Sequence, residues 1–491
     1  MPDAILGSGL KSINYALLFF GCVLFHVAGT WSLPLIDRDE PRFAEASREM
    51  IQRADYIVPY FNNQLRLDKP PLAYWAQVAS YRVFSQSDFA ARFPSVIAAS
   101  LTALVIFGWG FRLAGEKVAW WAAIIFALSL QTFVHAKAAV ADMWLVLFMT
   151  LAHWAGYELY SARPGVAPYH QLRCWLAFYL SLALGFLAKG PIAWTPLLTI
   201  SAIIIYARNW PLARRFKFLP GILLTLAVVA LWGIPALIQT HGAFLSVGIG
   251  RHVIGRSFAT MEGHGANSLG MYLLLLPFYF VTVFISFFPW SIKLPALLKS
   301  LWHKRDNIDN YLLCGVGTIF IIFSLIKTKL PHYTLPAFGM LALLLARHWP
   351  ERAVASRRSL FGTITVATAC VWLAIALVVP PMVARFFPAY QLFQVSRAAL
   401  QPNMQFASVE FEEPSLVWYF RSRVKGFLTP LNKRRATEFM SLSGPRFIIL
   451  PTPVAGSVLA SPPQGWYFFT VSGVNIAKGK RLDLTLVLKP E

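Results

Sequence analysis

Acidic residues are scarce in this chain. Its 491 residues hold 22 Asp and Glu against 44 Lys and Arg, and charged residues make up only 13%. A soluble domain carries about a quarter of its residues charged, so an ordinary water-soluble enzyme is excluded. Cysteine is scarce as well. Cys22, Cys174, Cys314 and Cys370 lie in or beside apolar runs and have no CxxC spacing, which excludes a disulfide framework. No glycine-rich phosphate loop of the Rossmann or P-loop kind is convincing, so nothing points to a nucleotide. Low-complexity tracts and short internal repeats are missing too.

Apolar residues fill the space. The chain is 57% hydrophobic with mean hydropathy +0.55. A membrane-spanning helix needs about 20 mostly apolar residues. Such runs lie near 14–34, 92–113, 118–135, 139–159, 173–190, 191–207, 218–239, 269–289, 311–326, 333–348 and 361–381. They predict an all-α polytopic membrane protein with about 11 spans, or up to 13 where prolines such as those in 277–298 blur the limits. The first run has a weak basic flank and no clear small-residue cleavage site, so it reads as a retained helix.

The basic excess follows the topology. With the N-terminus in the cytoplasm, every second loop is basic: Arg112 and Lys117; Arg163 and Arg173; Arg208, Arg214, Arg215 and Lys217; Lys293, Lys299, Lys304 and Arg305; Arg347, Arg352, Arg357 and Arg358. That is the positive-inside pattern. It gives the excess an orienting and lipid-attracting role, with membrane lipids and not nucleic acid as the partner. The remaining loops, with 35–91, 240–268 and everything after 382, then face outward with mixed charge.

One external stretch is unusually dense. IDRDEPRFAEASREM and LDKPPLAYW place Asp39, Glu40, Arg42, Asp68 and Lys69 directly after the first apolar run. Charges beside a bilayer are inexpensive only where water or a partner reaches them, so a mixed cluster there is a site hypothesis. Residues 41–53 predict a surface helix, with Pro41 at its first turn and acids at its N-terminus. Residues 72–84 predict a second amphipathic helix suited to the interface. Pro70 and Pro71 hold Lys69 on an extended connector. After 382, PRFIIL, GWYFFT and LDLTLVL are short strand-like runs. They predict a small external α+β domain over 400–491, beside a transmembrane domain over 1–382 whose first loop is 35–91.

Taken in order, DEPRFAEASREM, LDKPPLAYW, AARFPS, AVADMWL, LAKGP and KLPHYTLPAF resemble the bacterial lipid-linked-sugar glycosyltransferases of the GT-C type over roughly 30–345. The likeness is greatest to the lipid A 4-amino-4-deoxy-L-arabinose transferases, which share ancestry with the protein O-mannosyltransferases. Here Asp68 stands before the KPP lysine, where the family commonly has Glu, and the tail is shorter.

The resemblance implies transfer of a sugar from a polyprenyl phosphate to lipid A or a related glycolipid, on the periplasmic face of a bacterial inner membrane. Such chemistry needs a carboxylate near the attacking oxygen and cations near the leaving phosphate. It implies Asp39 for the carboxylate, with Glu40 as runner-up and helix capping as a second role for both. It implies Arg42 and Lys69 for the phosphate. Asp142 in AVADMWL and Lys189 in LAKGP join the site, as partners of each other or of Lys69. Arg251 and Arg256 lie on a long Gly-rich loop suited to closing over substrate. Lys329 and Tyr333 line the cavity. A divalent metal ion held by Asp68, or alternatively Glu262, with His264 is the one cofactor in view, without strong ligand spacing. Transfer to another acceptor, such as a core or O-antigen sugar or a protein Ser/Thr, is the alternative within enzymes. A transporter or a lipid-binding scaffold is the alternative outside them. Charged motifs gathered on one face favour the enzyme over a transporter, whose site lies at the midplane.

Overall fold

The computed structural model describes residues 9–162, 165, 167–255, 268–349, 355–458, 464–476 and 478–491. Each apolar run of the sequence falls on a helix or a pair of helices. Among the described residues, five helices are long and apolar enough to cross a membrane: Asp88–Ala114, Pro168–Lys189, Trp210–Gln239, Asn307–Leu325 and Leu360–Ala384. Phe278–Ser286 with Trp290–His303 makes a sixth if this pair, bent by 119°, counts as one span. Fewer helices pass this test than the sequence has apolar runs, because several runs break. Residues 118–135 divide at Ser129, whose backbone is extended, into Glu116–Leu128 and Leu130–His135. Residues 191–207 open with a tight turn at Pro191–Trp194 before Thr195–Tyr206.

The chain forms two compact units. The first comprises Met1–Val27, Leu67–Ala73 and Pro94–Trp372. Its centre is the helix Asp142–Ser161, most of whose side chains are buried and which packs along Pro168–Lys189. Tyr311 is buried and donates to the carbonyl of His153 at 2.7 Å. The helix Phe218–Gln239 approaches Pro168–Lys189 so closely that a Cβ at Gly221 would stand 2.0 Å from the Tyr179 ring. Only glycine fits there.

The second unit comprises Ala28–Arg66, Tyr74–Phe93 and Leu373–Glu491. Strands β1 (Tyr60–Phe61) and β2 (Gln64–Leu65) form a short antiparallel hairpin. Five more strands, β3 (Gln405–Val409), β4 (Leu428–Leu431), β5 (Arg446–Pro451), β6 (Tyr467–Asn475) and β7 (Lys480–Lys489), make one sheet in the order β4-β3-β5-β7-β6. β3 runs parallel to both β4 and β5, whereas β7 is antiparallel to β5 and β6. The sheet buries Ala407, Val409, Ile448, Leu450 and Val487 against Ala436 and Met440 of the helix Lys433–Ser441. The strand-like runs of the tail thus become β5, β6 and β7.

Within this unit the first loop and the tail interlock, so the compact unit is wider than 400–491. The helix Asp39–Arg53 is not a surface helix, because Phe43, Ala46, Met50, Glu45, Arg48 and Glu49 are all buried. Its charges are neutralised by residues far along the chain. Arg421 contacts Glu45, bonds Glu49 at 3.2 Å and bonds Gln52 at 2.9 Å. Arg48 pairs with Glu45 at 2.7 Å, donates to the carbonyl of Trp418 at 2.9 Å and stacks 3.8 Å over its ring. Asp37 accepts from the Ser415 amide at 2.9 Å and the Ser415 hydroxyl at 2.5 Å. The helix Leu72–Phe84 is likewise drawn inward, through buried Tyr74, Gln77, Val78 and Tyr81.

Candidate active site

The first unit contains a cavity of about 710 Å³. Polar residues Lys69, Asp142, Lys189, His332 and Tyr333 share its lining with Trp194, Leu197, Leu198, Ile322, Phe323 and Ile326. The local sequence explains how the polar groups come to stand there. Asp142 lies in the first turn of Asp142–Ser161 and Lys189 in the last turn of Pro168–Lys189. Each charge meets the helix-end dipole of opposite sign. Gly190 ends the second helix at φ 84, a conformation that a side chain would strain, and turns the chain into Pro191–Trp194. His332 and Tyr333 lie on the tight helical segment Pro331–Ala337. Lys69 follows Asp68 on the connector, its ammonium 3.3 Å from the Asp68 carbonyl.

Lys189 Nζ is 2.5 Å from Asp142 Oδ1, and His332 Nε2 is 3.7 Å from the same oxygen. The Lys189 ammonium also stands 5.6 Å from the centre of the Tyr333 ring. The His135 and His332 rings lie 4.8 Å apart. One ligand atom from each of His135, Asp142 and His332 falls within 4.8 Å of the others. Two of these residues were missed as site members by sequence reading. His332 sits inside KLPHYTLPAF, and His135 closes the run that precedes AVADMWL.

Other expected site residues have different settings. Asp39, Glu40 and Arg42 belong to the second unit, at the start of Asp39–Arg53. Asp39 is exposed and Arg42 half-buried. Glu40 is buried and held from three sides: Arg92 Nε reaches Oε1 at 3.0 Å, Arg92 Nη2 reaches Oε2 at 2.7 Å, and the Ile36 amide donates to Oε2 at 2.7 Å. These bonds hold the Glu40 carboxylate within its own unit. Arg92 comes from AARFPS, and sequence reading gave it no role.

Lys329 also has a different setting. Its ammonium donates to the carbonyls of Phe323, Ser324 and Ile326 at 3.0, 2.5 and 2.6 Å. It caps the C-terminal end of Asn307–Leu325 and is absent from the cavity lining. Arg251 lies in the helical segment Phe244–Gly255. Its side chain, and all of Arg256 and His264, lie outside the described residues. The expected Asp68–His264 metal pair therefore lies partly outside them.

A polytopic helical unit with a cavity lined by both charged and apolar residues, joined in sequence to a mixed-sheet unit, has solved counterparts. ArnT from Cupriavidus metallidurans bound to undecaprenyl phosphate superposes with TM-score 0.80 at 17% identity, covering 97% of this chain and 98% of that one. The Archaeoglobus fulgidus oligosaccharyltransferase AglB gives TM-score 0.50 at 11% identity over 90% of this chain and 70% of that one. The family described as dolichyl-phosphate-mannose-protein mannosyltransferase matches residues 68–234. These define the fold class: a multi-pass membrane protein of the GT-C type. The undecaprenyl phosphate-alpha-4-amino-4-deoxy-L-arabinose arabinosyl transferase of Enterobacter sp. (strain 638) is 30% identical over 98% of this chain and 87% of its own length. The chain belongs to that arabinosyl transferase family.

Proposed function

We propose that the chain transfers 4-amino-4-deoxy-L-arabinose from undecaprenyl phosphate to lipid A or a related glycolipid, on the periplasmic face of the inner membrane. The family's named donor supports this reading. So does the cavity, whose apolar lining residues suit a polyprenyl chain and whose Lys69 and Lys189 suit its phosphate. In the transfer, an acceptor hydroxyl attacks the anomeric carbon and the carbon–oxygen bond to phosphate breaks. The hydroxyl proton passes to a base, and the bonding electrons pass to the phosphate. Lys69 and Lys189, with Arg42, Arg251 and Arg256, stabilise that growing negative charge. Asp39 orients the acceptor hydroxyl and takes its proton. Asp142 holds Lys189 in position, and Tyr333 shapes the wall beside it.

The test is mass spectrometry of lipid A and total glycolipids from cells with and without the gene. Lipid A gaining one aminopentose only when the gene is present is the expected result. An unchanged lipid A profile, with the sugar on another glycolipid or on protein, replaces the acceptor. A phosphatase fused after Glu491 should be active, as the periplasmic placement requires.

A further inference from the structure

We propose that His135, Asp142 and His332 form a binding site for a divalent first-row transition ion such as Zn²⁺ at the polar end of the cavity. The three come from separate elements: the last residue of Leu130–His135, the first of Asp142–Ser161, and the segment Pro331–Ala337. Their ligand atoms already lie within 4.8 Å of one another, and the His332 Nε2 to Asp142 Oδ1 distance is 3.7 Å. A tetrahedral ion with bonds of about 2.0–2.2 Å sets its ligands roughly 3.4 Å apart, so modest side-chain rotation closes the set. Two imidazoles and one carboxylate favour zinc or its neighbours over magnesium or calcium, which take oxygen.

The surroundings have the form of an outer shell. The Gln131 side-chain amide lies 2.9 Å from His135 Nδ1; a ring that ligates through Nε2 carries its proton on Nδ1, so with an ion bound this amide turns its oxygen to that N–H. Ligating histidines are characteristically steadied in this way through their second nitrogen. Lys189 contacts Oδ1 of Asp142, and a carboxylate has lone pairs enough to bridge an ammonium and an ion. Asp142 and His332 both line the cavity. A remaining coordination position therefore opens towards whatever enters, water or a phosphate oxygen. That last ligand rests on the donor reading above; the three protein ligands do not.

Full-length protein in detergent, stripped with a chelator and equilibrated with zinc, should bind about one ion per chain. His135→Gln and His332→Gln should each bind at least tenfold more weakly. His264→Ala should bind as the wild type does. Zinc-edge X-ray absorption on the wild type should show two imidazoles and oxygen, a readout that needs no variant to fold. No zinc bound to the wild type, undiminished binding in both glutamine variants, loss in His264→Ala, or a shell without imidazole overturns the site. Undecaprenyl phosphate binding, measured on the same stripped protein, tests the donor reading separately. Protein that takes up zinc but binds no lipid with or without the ion refutes that reading alone, and protein that binds lipid but takes up no zinc when it is supplied refutes the metal site alone.

Discussion

Lys189→Met separates two functions of one ammonium. Lys189 and Asp142 approach to 2.5 Å, with side chains only 16% and 13% exposed. At an effective dielectric of about 20 the gross attraction across that distance is about 7 kcal/mol. Desolvation offsets much of it, and breaking a buried pair typically costs about 3–5 kcal/mol net, because one charge is left behind. The single variant should therefore melt roughly 5–10 °C lower in detergent. Adding Asp142→Asn removes the stranded charge, so the double variant should recover to within about 1 kcal/mol of wild type. Donor binding should not recover, because the ammonium proposed to meet the phosphate is still gone. A charge-assisted contact of about 1.5–3 kcal/mol corresponds to about tenfold to a hundredfold in affinity. Titration of undecaprenyl phosphate, with thermal melts on the same four proteins, reads both effects. A double variant as unstable as the single one refutes the charge-pair account. Wild-type donor affinity in the double variant removes Lys189 from the phosphate site.

Asp39→Asn should slow transfer by roughly a hundredfold or more with the protein still folded, whereas Glu40→Gln, which loosens the buried Arg92, should lower stability first; near-normal turnover by Asp39→Asn removes the base assignment. Lys69→Ala and Arg42→Ala should each weaken donor use by about tenfold to a hundredfold in a detergent titration, and wild-type donor affinity in both would cancel the phosphate assignment. Burial pushes the Asp37 carboxyl up to about 7. A raised acid contributes stability below its unfolded value of about 3.9 and loses it as pH rises through 7, so the wild type should lose more stability between pH 5.5 and 8.5 than Asp37→Asn. Equal losses in the two proteins would show that Asp37 does not titrate there.

What was legible in the sequence came from local signals. Apolar runs mark helices because each carries its own burial requirement. PRFIIL, GWYFFT and LDLTLVL mark β5, β6 and β7 because β-branched and aromatic residues suit a pleated surface. The pairing of Asp142 with Lys189 was legible as well, and the two do meet. The partners of buried charges were not. Glu40 finds Arg92, 52 residues on, and Glu45 finds Arg421, 376 residues on. Neither separation leaves a periodic trace. The same blindness made Asp39–Arg53 read as a surface helix. Its Glu45 and Glu49 look solvent-facing until a tail arginine 372 residues beyond Glu49 is placed against them.

Lysine shows most directly why residue type alone does not assign a role. Lys189 ends an apolar helix and Lys329 follows one, and both stand in motifs that suggest substrate contact. A helix C-terminus leaves carbonyls without intrahelical donors, and an ammonium has three donors to offer. Lys329 lies a few residues past Asn307–Leu325, on a chain that doubles back, so its three donors reach three carbonyls at once. Lys189 is still inside its own helix, where its side chain extends outward to the cavity and to Asp142. Position relative to the helix end, by about one turn, thus separates a cap from a site residue. Changing Lys329 should therefore disturb the end of its helix before it disturbs donor binding, and changing Lys189 should disturb both.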